Sequence, residues 1–208
     1  MAAATGPVPE HRVPSLAATD RLVALPPLRL VDSGTGAAPR LPTSVRVGRR
    51  GDALCVRFDA RDDGVVATRR ERDAPLWTED VCELFLAPGT DPPRRYFEIE
   101  VNPLGTLYDA RVDSPERVRS SMRVDATWDC PGLSARVTVR PRRWSAVLTV
   151  PLAALCEGEI PATWRANFYR VDRAERDEYS AWSPTFADPP DFHVPERFGI
   201  LRLEGASR

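Results

Sequence analysis

The chain contains no lysine. All 29 of its basic side chains are arginine, set against 30 acidic ones, for a formal net charge of −1. That balance excludes a global basic field. Arginines interspersed among acids describe a solvated surface rather than a nucleic-acid footprint, and a GC-rich coding bias accounts for the choice of arginine. Histidine and methionine are scarce, at two residues each. The four cysteines, Cys55, Cys82, Cys130 and Cys156, form no CxxC pair and have no histidine at zinc spacing, which argues against a structural zinc site. Cys55 and Cys82 lie in apolar, strand-like runs, so buried free thiols are expected. No run is long enough to span a membrane. From Met1 to Pro27 no basic segment precedes an unbroken apolar stretch, because Asp20 and Arg21 interrupt the only candidate. The expectation is therefore no signal peptide, a cytoplasmic location and reduced cysteines.

What is present is a chain of 208 residues, 42% hydrophobic and 28% charged, an ordinary globular composition at a length one all-β domain often reaches. Residues 1–20, rich in alanine and proline and without periodicity, are expected to form a flexible leader, and residues 21–208 a single domain. That domain reads as short strands separated by turn signals. Leu28–Val31 is one candidate, and Thr43–Val47 with Ala53–Asp59 suggests a hairpin. Further candidates are Asp80–Leu86, Arg95–Asn102, Thr106–Val112, Ser134–Arg140, Arg143–Val150, Trp164–Asp172 and Gly199–Leu203. Pro151–Leu155 allows one helical turn, and no segment sustains a 3.6-residue period. Many short strands with few helical turns imply an all-β sandwich or barrel.

Several residues stand out chemically. Glu83 interrupts an apolar strand, with Val81 and Phe85 on its own face; it is either an edge glutamate facing solvent or a group in need of partners, since an unpaired buried charge is costly. In Arg95–Asn102, Phe97, Ile99 and Val101 share one face, while Tyr96, Glu98, Glu100 and Asn102 share the other. That polar face, which Tyr108 meets across a hairpin, is plainly solvated or else a lining of acceptors for hydroxyl groups. In Trp164–Asp172, Trp164, Ala166 and Phe168 point inward, Arg165, Asn167 and Tyr169 outward, and Arg170 falls on the inward register, where it needs a carboxylate. Trp182 lies in a loop-like segment, either as a plug over the core or as an exposed platform. Two aromatic walls with a few directed polar groups are the expected form of a sugar site. His193 reads as a packing or capping residue, because no ligand cluster accompanies it.

Trp77 with Glu83 six residues on, then Tyr96–Arg111, Trp164–Arg170, Ala181–Pro184 and Phe192–Gly199 together resemble family 9 carbohydrate-binding modules, of the DOMON-like superfamily. The resemblance spans roughly residues 25–205. It implies an antiparallel β-sandwich of jelly-roll type and a carbohydrate ligand. By the same resemblance Trp77 and Trp182 match two tryptophans that sandwich a terminal sugar, and Glu83 and Asn102 match hydrogen-bonding positions. One departure stands out: where sugar-binding members carry an arginine two residues before the asparagine, this chain has Glu100, an acceptor-only anion in place of a five-donor cation. Members also hold structural calcium. Asp59, Asp62 and Asp63 are hard oxygen ligands near a glycine, although a surface acidic turn is the simpler reading.

Four functions compete. A non-catalytic carbohydrate-binding domain, without cofactor, nucleic acid or membrane partner, rests on Trp77 and Trp182 over Glu83, Glu100 and Asn102, with Glu98, Tyr108, Arg165, Asn167 and Arg170 as secondary candidates. A glycoside-active enzyme would use Glu83 with Glu98 or Glu100. A haem-binding domain needs axial ligands from Met1, Met122, His11 and His193. A degenerate interaction module is the fourth, because fold alone does not fix function.

Overall fold

A computed structural model of the chain describes residues 6–173 and 175–205. In chain order the strands are β1 (Glu10–Val13), β2 (Leu28–Arg29), β3 (Val31–Asp32), β4 (Thr43–Arg50), β5 (Ala53–Arg61), β6 (Val81–Pro88) and β7 (Arg95–Val101). They continue as β8 (Leu107–Asp113), β9 (Arg123–Asp125), β10 (Ser134–Arg140), β11 (Arg143–Pro151), β12 (Thr163–Asp172), β13 (Glu178–Ala181) and β14 (Gly199–Leu203). The helical elements are short 3-10 turns, and no helix among the described residues is long and apolar enough to cross a membrane.

The strands make a β-sandwich. One sheet of nine strands runs β1-β14-β12-β6-β7-β8-β9, with β13 pairing on β12 and β3 on β13; the other, of five, runs β10-β11-β5-β4-β2. Pairing is antiparallel except for β1, which runs parallel to β14. The hairpin β4–β5 closes on Gly51-Asp52, and Gly51 adopts φ +54°, a left-handed conformation glycine reaches without steric cost.

Between the sheets lies the main core, built from alternate residues of both, including Phe58, Trp144, Trp164 and Phe168. The nine-stranded sheet is also covered on its outer face. There Phe85, Tyr96, Tyr169, Phe192 and Phe198 form a second apolar cluster, with Phe192 and Phe198 brought by the late segment before β14. Two buried faces explain why β6 is buried without a break from Val81 to Ala87. Such a strand reads as a continuous apolar run, and Glu83 is the exception inside it.

Two sequence expectations are corrected. Within the leader assigned to residues 1–20, Glu10–Val13 is the edge strand β1, with Val13 fully buried opposite Leu203; residues 1–5 lie outside the described residues. The candidate Leu28–Val31 is two strands, because the chain changes sheet at buried Leu30: β2 pairs with β4, and β3 with β13. All four cysteines are free thiols, and burial pushes that of Cys130 up to about 11.

Candidate functional site

Strand register assembles an unusual row on the outer face of the nine-stranded sheet. Tyr169 stands opposite Glu83, Glu83 opposite Glu100, and Glu100 opposite Tyr108. One step along β7, Glu98 stands opposite Phe85. Because side chains alternate along a strand, all of these project to the same side. The carboxyl oxygens of Glu83, Glu98 and Glu100 lie within 4.8 Å of one another, and all three residues are buried. Neither oxygen of Glu100 has a donor within hydrogen-bond reach.

Three buried carboxylates this close cannot all stay ionised. Burial raises Glu83, and the charge of Glu98 raises it further. Burial raises Glu100 most of all, with Glu83 and Glu98 adding to it. Burial pushes Glu98 up to about 7, against the opposing pull of Glu100 and Arg119. The row therefore holds protons at neutral pH. A protonated Glu100 is itself the donor, to Glu98, and the cluster as a whole both donates and accepts.

Above this row opens a cleft of about 870 Å³, lined among others by Trp77, Glu83, Glu98, Tyr108, Tyr179 and His193. Trp77 lies in the 3-10 turn Leu76–Thr78 before β6. Leu76 is anchored in the second core while Trp77 stays 43% exposed, in an edge-to-face contact with Tyr108 at 5.3 Å between ring centroids. Arg173 ties the rim together: it donates to the Trp77 carbonyl at 2.9 Å and stacks over the Tyr179 ring. His193 has Nδ1 2.8 Å from the Tyr96 hydroxyl and Nε2 3.9 Å from Glu98. Burial, reinforced by Arg119, lowers it to about 4, so its imidazole is neutral beside the carboxyls at neutral pH. Arg119 itself is paired with Asp191 at 2.8 Å.

Of the residues singled out from the sequence, Trp77, Glu83, Glu98 and Tyr108 line this cleft, with Glu100 behind them. The expected second wall does not. Trp182 follows β13, whose register places Ser180 opposite the inward Arg170. By alternation Trp182 is inward too. Its indole packs on Phe168 at 5.5 Å and so close over Gly199 that a Cβ there would clash with its ring. At 8% exposure it is a plug of the inter-sheet core. Trp77 and Trp182 thus lie on opposite faces of the sheet, and no aromatic sandwich forms between them.

The other candidates serve the scaffold. Asn102 is fully buried; its oxygen accepts the backbone N–H groups of Leu104 and Thr106, each at 3.0 Å, and its amide donates to the Arg69 carbonyl. Asn167 ties β12 to Ser183 and to the Tyr169 hydroxyl. Arg165 is buried away from the cleft with Nε unpartnered. Arg170, inward as its register required, pairs with Asp62 at 3.0 Å and with Asp172. Asp59, Asp62 and Asp63 do not converge on one site: they face Arg46 and Arg57, Arg170, and Arg40 respectively. Asp62 instead meets Asp80 and Asp172 at metal-ligand spacing, where Arg170 already supplies the counter-charge. In the glutamate row, a proton or a hard cation on those oxygens relieves the repulsion.

Sequence reasoning missed Tyr179, Arg173 and Arg119 as cleft residues and read His193 as a packing or capping residue, or as an axial ligand only if the domain held haem. The strand β13, which positions Tyr179, carried too short and polar a signal, and the covering of the face by residues 184–198 has no local signature.

The comparisons with known proteins agree with this fold. A protein of Caldicellulosiruptor kristjanssonii, a family 9 carbohydrate-binding module in complex with cellotriose, superposes with a TM-score of 0.65 at 13% identity, covering 95% of each chain. A candidate carbohydrate-binding protein of Bacteroides uniformis gives a TM-score of 0.72 at 19% identity, over 94% of this chain and 99% of its own. At those identities the likeness is one of fold. In sequence, an extracellular protein of Arthroderma benhamiae is 25% identical over 174 residues, 75% of this chain and 76% of its own. The model of carbohydrate-binding family 9 matches residues 33–203, nearly the whole sandwich from β4 to β14 and the cleft with it; the chain belongs to that family.

Proposed function

We propose that the cleft beside Trp77 binds a sugar and does not cut it. The observation that carries this reading is an exposed indole standing beside a buried row of proton-sharing carboxyls. An aromatic face offers a surface for the C–H patches of a pyranose, and the row offers fixed partners for its hydroxyls. Sugar hydroxyls donate and accept at once. Glu83 and Glu98, raised by burial, meet both needs at neutral pH. Family membership, and the cellotriose and glucose held by the Caldicellulosiruptor modules, support a neutral sugar as the ligand.

The same geometry speaks against hydrolysis. A glycosidase sets an acid and an ionised carboxylate on either side of the scissile bond. Here the three carboxyls crowd together on one sheet face, and all are raised. Calorimetric titration of the full chain with glucose, xylose, cellobiose, xylobiose and cellotriose should give saturable binding to at least one. Release of reducing ends from the oligosaccharides would overturn the non-catalytic part, and silence with every sugar the whole.

One observation favours a second reading, haem binding: Met122 and His193 line the same cleft. The Tyr96 hydroxyl contacts both, at 3.7 Å from Met122 Sδ and 2.8 Å from His193 Nδ1, and three carboxyls adjoin. Titration with haemin should leave the Soret band that of free haemin; a shifted, stoichiometric band would establish this reading.

A further inference from the structure

The outer face of the five-stranded sheet, across the sandwich from the cleft, is rich in arginine. Arg29, Arg46, Arg57, Arg61, Arg140 and Arg143 line a groove of about 700 Å³ there, and Asp59 is the only carboxylate in its lining. Asp59 is committed to Arg46 at 2.7 Å and Arg57 at 2.6 Å. The strand register concentrates the rest: Arg61 stands directly opposite Arg143, and Arg143 directly opposite Arg140. All three are exposed, and no carboxylate among the described residues lies in ion-pair range of any of them.

Like charges directly opposite across a ladder destabilise a sheet. With strands about 4.8 Å apart, this rung holds three cations abreast, none of them in an ion pair among the described residues. Exposed guanidinium groups held abreast without ion-pair partners leave a concentrated positive charge that a bound anion would neutralise. We infer that this face binds an acidic polysaccharide, a chain whose sugars carry carboxylates. The guanidinium fork matches a carboxylate through two parallel hydrogen bonds. Cations spread across three strands, not gathered at one point, suit a polymer. The adjacent rung runs Ser44, Asp59, Ser145, Thr138, and its hydroxyls suit sugar hydroxyls beside the charges. A single-stranded nucleic acid would want exposed aromatic rings on which to stack bases. The only ring lining this groove is Trp144, which is 1% exposed. The inference concerns a second surface and does not rest on what the cleft binds.

The test is binding of the full chain to polygalacturonate at low ionic strength, with its fully methyl-esterified, uncharged form as control. Wild type should bind the acid and not the ester. Arg61→Gln with Arg143→Gln should bind roughly tenfold more weakly or worse, as expected for two lost charge-assisted contacts, while its circular dichroism stays that of wild type, because both side chains are exposed. Arg95→Gln with Arg123→Gln removes two exposed arginines of the other sheet and should leave binding unchanged. Trp77→Ala should also leave it unchanged, which separates this face from the cleft. The inference is overturned if wild type fails to bind, if the Arg61/Arg143 variant binds as wild type does, if the Arg95/Arg123 variant loses as much, or if single-stranded DNA of equal charge binds more tightly than polygalacturonate.

Discussion

The two outer faces of this sandwich carry rungs of like charge, of opposite sign. On the nine-stranded sheet Glu83 stands opposite Glu100; on the five-stranded sheet Arg61, Arg143 and Arg140 stand abreast. Pairing of this kind is unfavourable in either case, but burial decides how it is relieved. The glutamates are buried at the floor of the cleft, are poorly hydrated, and give up charge by taking protons. The arginines lie open to water, cannot lose their protons, and rely on solvent, salt or a bound anion. A carboxyl row able to share protons is suited to neutral hydroxyls. A fixed row of guanidinium groups is suited to anions. One fold thus presents two chemically distinct surfaces, and the sheets between them set the register of both.

The sharpest way to break this comparison is to disturb the layer between the faces. Trp182→Ala should cost about 3–5 kcal/mol in urea unfolding, the usual loss for a large core side chain, while the molecules that remain folded keep their sugar affinity. A near-neutral stability would return Trp182 to the surface and undo the assignment of faces.

The buried row predicts a pH signature. Groups raised in the folded state hold their protons more tightly there than when unfolded. Their contribution to stability is therefore fully present below about 4.5 and is lost as pH rises through about 7, the value to which Glu98 is raised. His193 acts in the opposite sense, its contribution being present above 6.5 and lost as pH falls through about 4. Comparing wild type with Glu100→Gln cancels the histidine. The variant should gain about 1–3 kcal/mol at a pH of about 8, the cost of an unpartnered buried acceptor, and the gain should shrink towards nothing near pH 4.5. A difference independent of pH would mean that Glu100 does not titrate in the folded state.

The smallest effect belongs to the open face. Arg143→Gln relieves one like-charge rung and should raise stability by about 0.2–1 kcal/mol at low ionic strength, with the gain fading as salt screens exposed charges. A loss of stability would show that Arg143 has a structural partner.

Alternation made much of this legible from the sequence. It placed Glu98 and Glu100 on one side of β7, put Arg170 on the inward register, and asked for the carboxylate that Asp62 and Asp172 provide. It could not say that the Glu98 face is buried, because the residues covering it, Phe192 and Phe198 among them, come from a segment about ninety positions further on that carries no periodicity of its own. Nor did it show that Glu178–Ala181 is a strand: four residues of mixed polarity give no countable period, and without that strand the inward parity of Trp182 is invisible. Asn102 and Asn167 were read as ligand groups because an amide suits a hydroxyl as well as it suits backbone, and only the fold shows which it meets.

The central claim, that a sugar sits on the acidic face against Trp77, has a direct test in Trp77→Ala. Its affinity for whichever sugar wild type binds best should be measured by calorimetric titration and its melting temperature recorded beside it. Trp77 is 43% exposed, so the melting temperature should hardly move. Affinity should fall by about 1–3 kcal/mol, as loss of a stacking anchor does. Wild-type affinity in this variant would contradict the account and remove the ligand from the cleft.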